Sequence, residues 1–319
     1  MPMCVLVTGG SGFIGSHLVE ALLQRGAVVR VLDNCATGHR ADLAQLPACV
    51  TSQGNFTFVE GDVTDRRTVR EVVKGADFVL HQAALPSVQR SVEDPLTSNR
   101  VNVEGTLNVL VAAREVGVKR VVYASSSSVY GDSPQLPKVE HMATNPLSPY
   151  AVSKLAAEGY CRAFTRVYGL ETVSLRYFNV FGPRQDPHSL YAAVLPRFIE
   201  ALLDDRPPII YGDGMQSRDF TFIDNVVQAN LLALEAVGVA GEIFNIACGE
   251  SADLQSVLRW LSEFVDQKVQ PEYQAPRAGD VKHSLADISK AQQMLGYRPV
   301  IPFREGLRQT FEYFRQRRA

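Results

Sequence analysis

Two kinds of side chain suited to proton transfer stand close together between residues 124 and 154. Tyr150 precedes Lys154 by four residues in Ser148-Pro-Tyr-Ala-Val-Ser-Lys154. Four serines, Ser125 to Ser128, end the apolar run Val121-Val-Tyr-Ala124. If Tyr150 opens a helix, Lys154 lies one turn on, on the same face. A phenol ordinarily titrates near ~10. A neighbouring ammonium favours the phenolate and brings the group toward use as a base near neutrality. The spacing alone is a loose pattern, so the elements that position it decide what it means.

Those elements alternate. Residues 4 to 7 read as a short buried strand, followed by Thr8-Gly-Gly-Ser-Gly-Phe-Ile-Gly15 and then by helical apolar spacing through Leu23. Gly9 suits a tight turn off the strand. Gly12 lets backbone approach a pyrophosphate at a helix N-terminus, and Gly15 lets helix and sheet pack closely. A second strand, 28 to 32, ends in Asp33, a carboxylate placed to accept hydrogen bonds from a ribose and to repel a 2′-phosphate; that argues NAD rather than NADP. The competing reading of Asp33 is a turn cap before Asn34. Further strands at 56–59, 78–80, 121–124 and 172–175 alternate with helical patterns at 65–74, 95–116 and 150–168. The expected fold class is α/β, a doubly wound parallel sheet of Rossmann type with a smaller C-terminal lobe. On such sheets ligands lie at the carboxyl ends of the strands. Gly9 to Gly15, Asp33, Asp62, Ala83, Ser126 and Asn179 all fall there.

After Gly182 prolines at 183, 187, 196, 207 and 208 break the alternation. Residues 183–222 read as a lobe with one helix near 194–203, residues 224–236 as a helix and 241–247 as a strand. Two or three amphipathic helices follow. Residues 1–180, with 224–248 returning to them, form the expected dinucleotide-binding domain, and residues 181–319 the substrate-binding lobe.

Composition narrows the function classes. The 319 residues are 46% hydrophobic and 21% charged, ordinary for a globular protein. A net charge of -2 gives no sign of a nucleic-acid or anionic-membrane partner. The 5 cysteines and 6 histidines are dispersed, so neither a metal site nor a disulfide framework is expected. No stretch reaches the ~18 apolar residues of a membrane span, and no signal sequence is evident, so the expected setting is cytoplasmic.

Taken in order, the motifs resemble the extended short-chain dehydrogenase/reductases, and among them the nucleotide-sugar 4-epimerases. The resemblance covers essentially the whole chain. It rests on Thr8 to Gly15, Asp62-Val63, His81-Gln-Ala-Ala84, Asn102-Val-Glu-Gly105, Ser125 to Gly131, Tyr150-Ala-Val-Ser-Lys154, Arg176-Tyr-Phe-Asn-Val-Phe-Gly-Pro183, Ser217-Arg-Asp-Phe220 and Arg277-Ala-Gly-Asp280. It implies that Gly9, Gly12, Phe13, Ile14 and Gly15 hold the pyrophosphate of NAD, and that Asp33 with Asn34 holds the adenosine ribose. Asp62 and Val63 would flank the adenine. Gln82, Ala83, Ala84, Asn102 and Tyr177 would line or contact the cofactor. Lys154 would bind the nicotinamide ribose and polarise Tyr150. Asn179, Arg218, Arg277 and Asp280 would hold the nucleoside diphosphate of a UDP-sugar, with Ser126 and Ser127 at the sugar.

The same resemblance implies the chemistry. Tyr150 takes the proton of the 4-hydroxyl while a hydride passes from C4 to tightly held NAD, and Ser126 steadies the oxygen. The 4-keto sugar turns over and the hydride returns to its other face. Ser126 is the expected hydroxyl because it lies four residues before Tyr130, with Ser125 and Ser127 as alternatives. Dehydratases of this superfamily carry Asp-Glu directly after that hydroxyl and related decarboxylases a Glu; Ser127-Ser128 offers no carboxylate for elimination. Galactose-only epimerases carry Tyr at the position of Ser284, so a serine there leaves room for an N-acetyl arm. The expectation is a UDP-GlcNAc/UDP-GalNAc 4-epimerase that also accepts UDP-Glc and UDP-Gal. The alternatives are a UDP-glucose-only epimerase, a UDP-glucuronate epimerase or another nucleotide-sugar dehydrogenase or reductase, and a dinucleotide sensor without catalysis. The family often pairs the helices near 95–116 and 150–168 between subunits, so a homodimer through a four-helix bundle is expected.

Overall fold

The computed structural model describes residues 2–44, 54–187, 193–266, 269–275 and 282–318. Arg277 and Asp280 lie outside the described residues.

Seven strands form one sheet: β1 (Cys4–Thr8), β2 (Val28–Asp33), β3 (Phe56–Glu60), β4 (Phe78–His81), β5 (Arg120–Ser126), β6 (Glu171–Tyr177) and β7 (Ile243–Ile246). Their order is β7-β6-β5-β4-β1-β2-β3, and every pairing is parallel. The strands are rich in β-branched residues because helices cover both faces. Alternation along β1 divides the core: Val5 and Val7 join the cluster on one face, and Leu6 joins the other. From β1 the chain winds outward to β3, then starts again at β4 and winds the other way. That reversal opens a crevice above the paired ends of β1 and β4, where Thr8 lies beside His81.

The helices that matter for the site are α1 (Phe13–Gln24), α2 (Arg66–Val73), α3 (Gly105–Val116), α4 (Pro149–Tyr168) and α5 (Ile223–Glu235). Leu18, Val19 and Leu22 of α1 and Val226 of α5 pack on one face of the sheet. Val69 of α2, Val109 and Leu110 of α3, and Ala157 and Phe164 of α4 pack on the other. The single helix expected over 95–116 is interrupted. A short helix, Pro95–Asn99, passes through a π turn at Arg100–Glu104 before α3. The Thr106 hydroxyl bonds the Asn102 carbonyl at 2.6 Å, competing with the backbone ladder at the wide turn.

Beyond β6 the described chain forms the helix Val194–Leu203, short strands at Ile209–Tyr211, Ser217–Arg218 and Thr221–Phe222, and helices Leu254–Val265, Ser289–Leu295 and Phe303–Gln316. Their apolar faces continue the core cluster of the α1 face through Leu254, Leu258, Leu307 and Phe311. Phe220 stacks on Phe303 at 4.8 Å between centroids. Among the described residues no helix is long and apolar enough to cross a membrane.

Candidate active site

Tyr150 occupies the first turn of α4 because the sequence starts the helix there. Ser148 caps it, accepting from the Ala151 amide at 3.1 Å, and Pro149 supplies a fitting first-turn φ. The Tyr150 amide donates to the buried Ser91 hydroxyl at 3.0 Å. One turn on, Lys154 is buried, and its Nζ donates to the Ala124 carbonyl at 2.8 Å. The same Nζ lies 5.9 Å from the centre of the Tyr150 ring and 5.2 Å from that of Tyr123.

The electrostatics differ from the simple expectation of a lysine lowering a phenol. Burial raises the Tyr150 pKa, opposed by a hydrogen bond from Ser126. Burial also pulls Lys154 down to about 7. Both charged forms are penalised by the same loss of water. Within the protein alone, Ser126 is the group that favours the phenolate.

The serine run is sorted by the strand's alternation. The Ser126 hydroxyl accepts the Ser128 amide at 3.2 Å and reaches Tyr150. Ser125, one residue back, points to the other side and donates to Glu158 Oε2 at 2.8 Å. Glu158 lies one turn beyond Lys154 and forms a two-pronged ion pair with Arg176, at 2.9 and 2.6 Å. Ser127 opens the 3-10 turn that follows and is half-buried. Ser126 is therefore the serine that meets Tyr150, and Ser125 belongs to the buried ion pair beneath it.

Above β1 and β4 the glycine loop packs closely against the chain that follows β4. Gly9 has φ +70°, and a Cβ there would stand 2.6 Å from the Ala83 nitrogen. A Cβ at Gly15 would stand 2.0 Å from the Gly9 carbonyl oxygen, so the start of α1 folds back on its own loop. Gly12 is the N-cap of α1 with no side-chain cap. No side chain at the N-cap takes up the first-turn amides, at Phe13, Ile14 and Gly15. Asp33 Oδ2 accepts the Ser11 amide at 2.9 Å, and Oδ1 accepts the Cys35 amide at 2.8 Å. Of the two readings of Asp33, the cap is the one these bonds describe: one oxygen caps the turn, and the other ties the turn to the glycine loop. Asn34 Nδ2 donates to Asp62 Oδ2 at 2.7 Å. Burial would raise the Asp62 carboxyl, but bonds from Thr64 and Asn34 outweigh it and hold it low. Val63 is buried beneath Gly105.

After β4, Ala83 and Ala84 are half-buried, and the Ala83 amide reaches Thr8 Oγ1 at 3.3 Å. Gln82 Nε2 donates to Asn230 at 3.2 Å, while the Tyr177 hydroxyl meets both Gln82 and Asn230, at 3.3 and 3.0 Å. Burial pushes the Tyr177 phenol up to about 12. The Asn102 side chain is committed within the protein, to Leu85 N and O at 2.8 and 3.3 Å and to Ser153 Oγ at 2.9 Å. It ties the loop after β4 to α4, the helix that carries Tyr150 and Lys154.

On the lobe side, Asn179 is held at φ +33°, a region L residues seldom enter, with its Nδ2 on the Asp219 carbonyl at 3.1 Å. Asn179, Phe181, Arg197, Tyr211, Arg218 and Phe220 line a cavity of about 480 Å³. Arg218 Nη1 donates to the carbonyls of Ser217 and Lys282, each at 3.0 Å. The Ser284 amide donates to the Ser217 carbonyl at 3.0 Å, so Ser284 lies against the strand that carries Arg218.

Sequence reasoning gave no role to three residues here. His81 is buried between Thr8 Oγ1 and Thr106 Oγ1, at 2.6 and 2.9 Å. Its place at the end of an apolar run was the available signal. Asn230 holds Gln82 and Tyr177 from α5, and Gly38 packs so closely that a Cβ would stand 2.4 Å from the Ser11 carbonyl oxygen. Nothing in the local sequence marks either of these.

Known proteins match this chain in sequence and fold. The profile of the NAD dependent epimerase/dehydratase family matches residues 5–247. The chain belongs to that family. A UDP-glucose 4-epimerase of Mycolicibacterium smegmatis is 38% identical over 317 residues, covering 99% of both chains. Among solved structures, the UDP-N-acetylglucosamine 4-epimerase from Methanobrevibacter ruminantium, in complex with UDP-N-acetylmuramic acid, superposes with a TM-score of 0.93. It is 39% identical and covers 99% of each chain. The UDP-glucose 4-epimerase of Thermus thermophilus, complexed with NAD, gives a TM-score of 0.86 at 40% identity, covering 98% of this chain and 99% of that one. The family's cofactor is NAD.

Proposed function

We propose that the enzyme interconverts UDP-GlcNAc and UDP-GalNAc by inverting C4, and that it also accepts UDP-Glc and UDP-Gal. The reaction class is that of a NAD-dependent UDP-sugar 4-epimerase, an isomerase. The observation behind the chemistry is the meeting of Ser126, Tyr150 and Lys154 at the carboxyl end of β5.

Gly9, Gly12, Phe13, Ile14 and Gly15 would hold the pyrophosphate, Asp33 and Asn34 the adenosine ribose, and Asp62 and Val63 the adenine. Gln82, Ala83, Ala84 and Tyr177 would wall the nicotinamide end, with Asn102 behind the wall and Lys154 at its ribose. NAD, when bound, supplies a reversible acceptor for the hydride at C4. The protein's own part is the proton on O4. Tyr150 takes it as the carbonyl forms and returns it as the alcohol is restored. Ser126, oriented by the Ser128 amide, donates to the same oxygen. Lys154 supplies positive charge one turn below the phenol. Asn179 and Arg218 face the cavity suited to the nucleoside diphosphate, where guanidinium geometry matches phosphate. Arg277 and Asp280 belong to the same proposed set.

The sugar preference rests on Ser284, a small side chain against the Arg218 strand. Incubation with UDP-GlcNAc, UDP-Glc and UDP-glucuronate separately, followed by product identification, tests it. Formation of UDP-GalNAc is expected. Turnover of UDP-Glc alone, or of UDP-glucuronate in preference to both, would overturn it.

We further propose a homodimer through α3 and α4. On α4, Val152, Tyr160, Val167 and Tyr168 are exposed at 52%, 40%, 67% and 51%, a large apolar share for one helix. Sedimentation at micromolar concentration should give twice the chain mass; a monomer would contradict it.

A further inference from the structure

Asp219 is fully buried, and its carboxylate gathers backbone amides from two distant segments. Oδ1 accepts from Cys248 at 2.9 Å, and Oδ2 accepts from Gly249 at 3.0 Å and Ala286 at 3.2 Å. Cys248 and Gly249 follow β7, at the edge of the cofactor-binding sheet. Ala286 lies two residues beyond Ser284, on the segment paired with Ser217 and Lys138. The carbonyl of Asp219 accepts the Asn179 side chain at 3.1 Å and so holds that residue in its left-handed conformation. Asn179 is bonded to Asp219 directly, Arg218 precedes it in the chain, and Ser284 lies two residues from the Ala286 amide that it holds.

A dry carboxylate is costly unless its hydrogen bonds are made. Burial lifts Asp219 to about 7, against the pull of the Cys248, Ala286 and Gly249 amides. An apolar side chain would fill the space but would strand the Cys248, Gly249 and Ala286 amides without an acceptor, so the group's value lies in what it joins.

We propose that Asp219 is the positioning residue of the nucleotide site: it clamps the segments bearing Asn179, Arg218 and Ser284 into one wall that recognises the diphosphate of the substrate. The inference rests on the reading of those residues as substrate-binding. The Asp219 carboxylate is bonded to neither the glycine loop nor the Tyr150 helix, so its loss should separate nucleotide binding from catalysis and from NAD binding.

The test is the full-length Asp219→Asn variant, titrated with UDP and separately with NAD, alongside steady-state kinetics. An amide cannot accept at all three donors, and one N–H would face another. UDP affinity should fall about tenfold or more and KM rise in step, while kcat and NAD affinity stay within about twofold. UDP affinity within about twofold of the unaltered enzyme would overturn the proposal, as would equal losses of UDP and NAD affinity, the mark of a merely structural role. If the variant does not fold, hydrogen exchange of the unaltered enzyme decides. Saturating UDP should slow the amides of Cys248, Gly249 and Ala286 about tenfold beyond that of Val31 in β2, and equal slowing would overturn the proposal. Failure of the unaltered enzyme to bind UDP would instead overturn the functional reading beneath it.

Discussion

Ser126 accepts the amide of Ser128, two residues along the chain, and its hydroxyl is the side-chain partner that favours the Tyr150 phenolate. Tyr150 is a phenol that burial makes a poor acid, with one neutral hydrogen-bond partner opposing the effect of burial. A phenolate there is favoured by Ser126 and by positive charge brought near it, and disfavoured by the dry surroundings.

The first prediction concerns the proton carrier. Tyr150→Phe keeps the ring and removes the hydroxyl. It should lower kcat by roughly 10²–10⁴ while leaving UDP affinity nearly unchanged, the pattern of a lost general base. Steady-state kinetics with a UDP titration checks it.

The serine run gives a paired prediction. Ser126→Ala should lower kcat by roughly 10², as expected for removal of one donor to a developing oxyanion. Ser125→Ala should leave kcat within a few-fold but cost about 1–3 kcal/mol of stability, because Glu158 loses a buried donor. Urea unfolding and turnover measured on both variants separate the two roles.

The parts of the candidate site that can be read in the sequence are local. A glycine loop between strand and helix, a carboxylate ending the second strand and a tyrosine four residues before a lysine each fall within one element and its turn. The choice of Ser126 over Ser125 rests on the resemblance to the family, and strand alternation is what sends the two side chains to different partners. What could not be read depends on contacts between distant segments. Asn230 reaches Gln82 across 148 positions, and Asp219 joins amides 29, 30 and 67 positions away. The π turn at Arg100–Glu104 hid within a good helical pattern because apolar spacing does not mark a single widened turn. The raised phenol of Tyr150 was missed for a related reason: a neighbouring cation shows in sequence, whereas the extent of burial does not.

Gly38 provides a third prediction. It packs against the Ser11 carbonyl, and the following amide, of His39, donates to that carbonyl at 3.0 Å. Gly38→Ala should displace the glycine loop and weaken NAD binding about tenfold or more, a loss of at least ~1.4 kcal/mol. A fluorescence titration with NAD reads this directly, and unchanged affinity would show that the loop yields without cost.

A fourth prediction concerns acid stability. Burial, with the nearby Lys154 charge, pulls His81 down to about 3, whereas an unfolded histidine titrates near ~6.5. Between those values the unfolded chain binds a proton that the folded protein does not. Stability therefore falls as pH drops from ~6.5 toward 3, and the loss is absent above ~6.5. His81→Gln should flatten this part of the pH–stability curve, as measured by urea midpoints from pH 7 to pH 4.

The central claim is that C4 is inverted by a hydride that leaves and returns within one site. UDP-GlcNAc deuterated at C4, incubated with the enzyme in ordinary water, tests it most directly by mass and NMR analysis of the product. UDP-GalNAc that keeps its deuterium at C4, with no net change in NAD, is the predicted result. Loss of the deuterium to solvent, or reduced cofactor accumulating in step with product, would contradict the account.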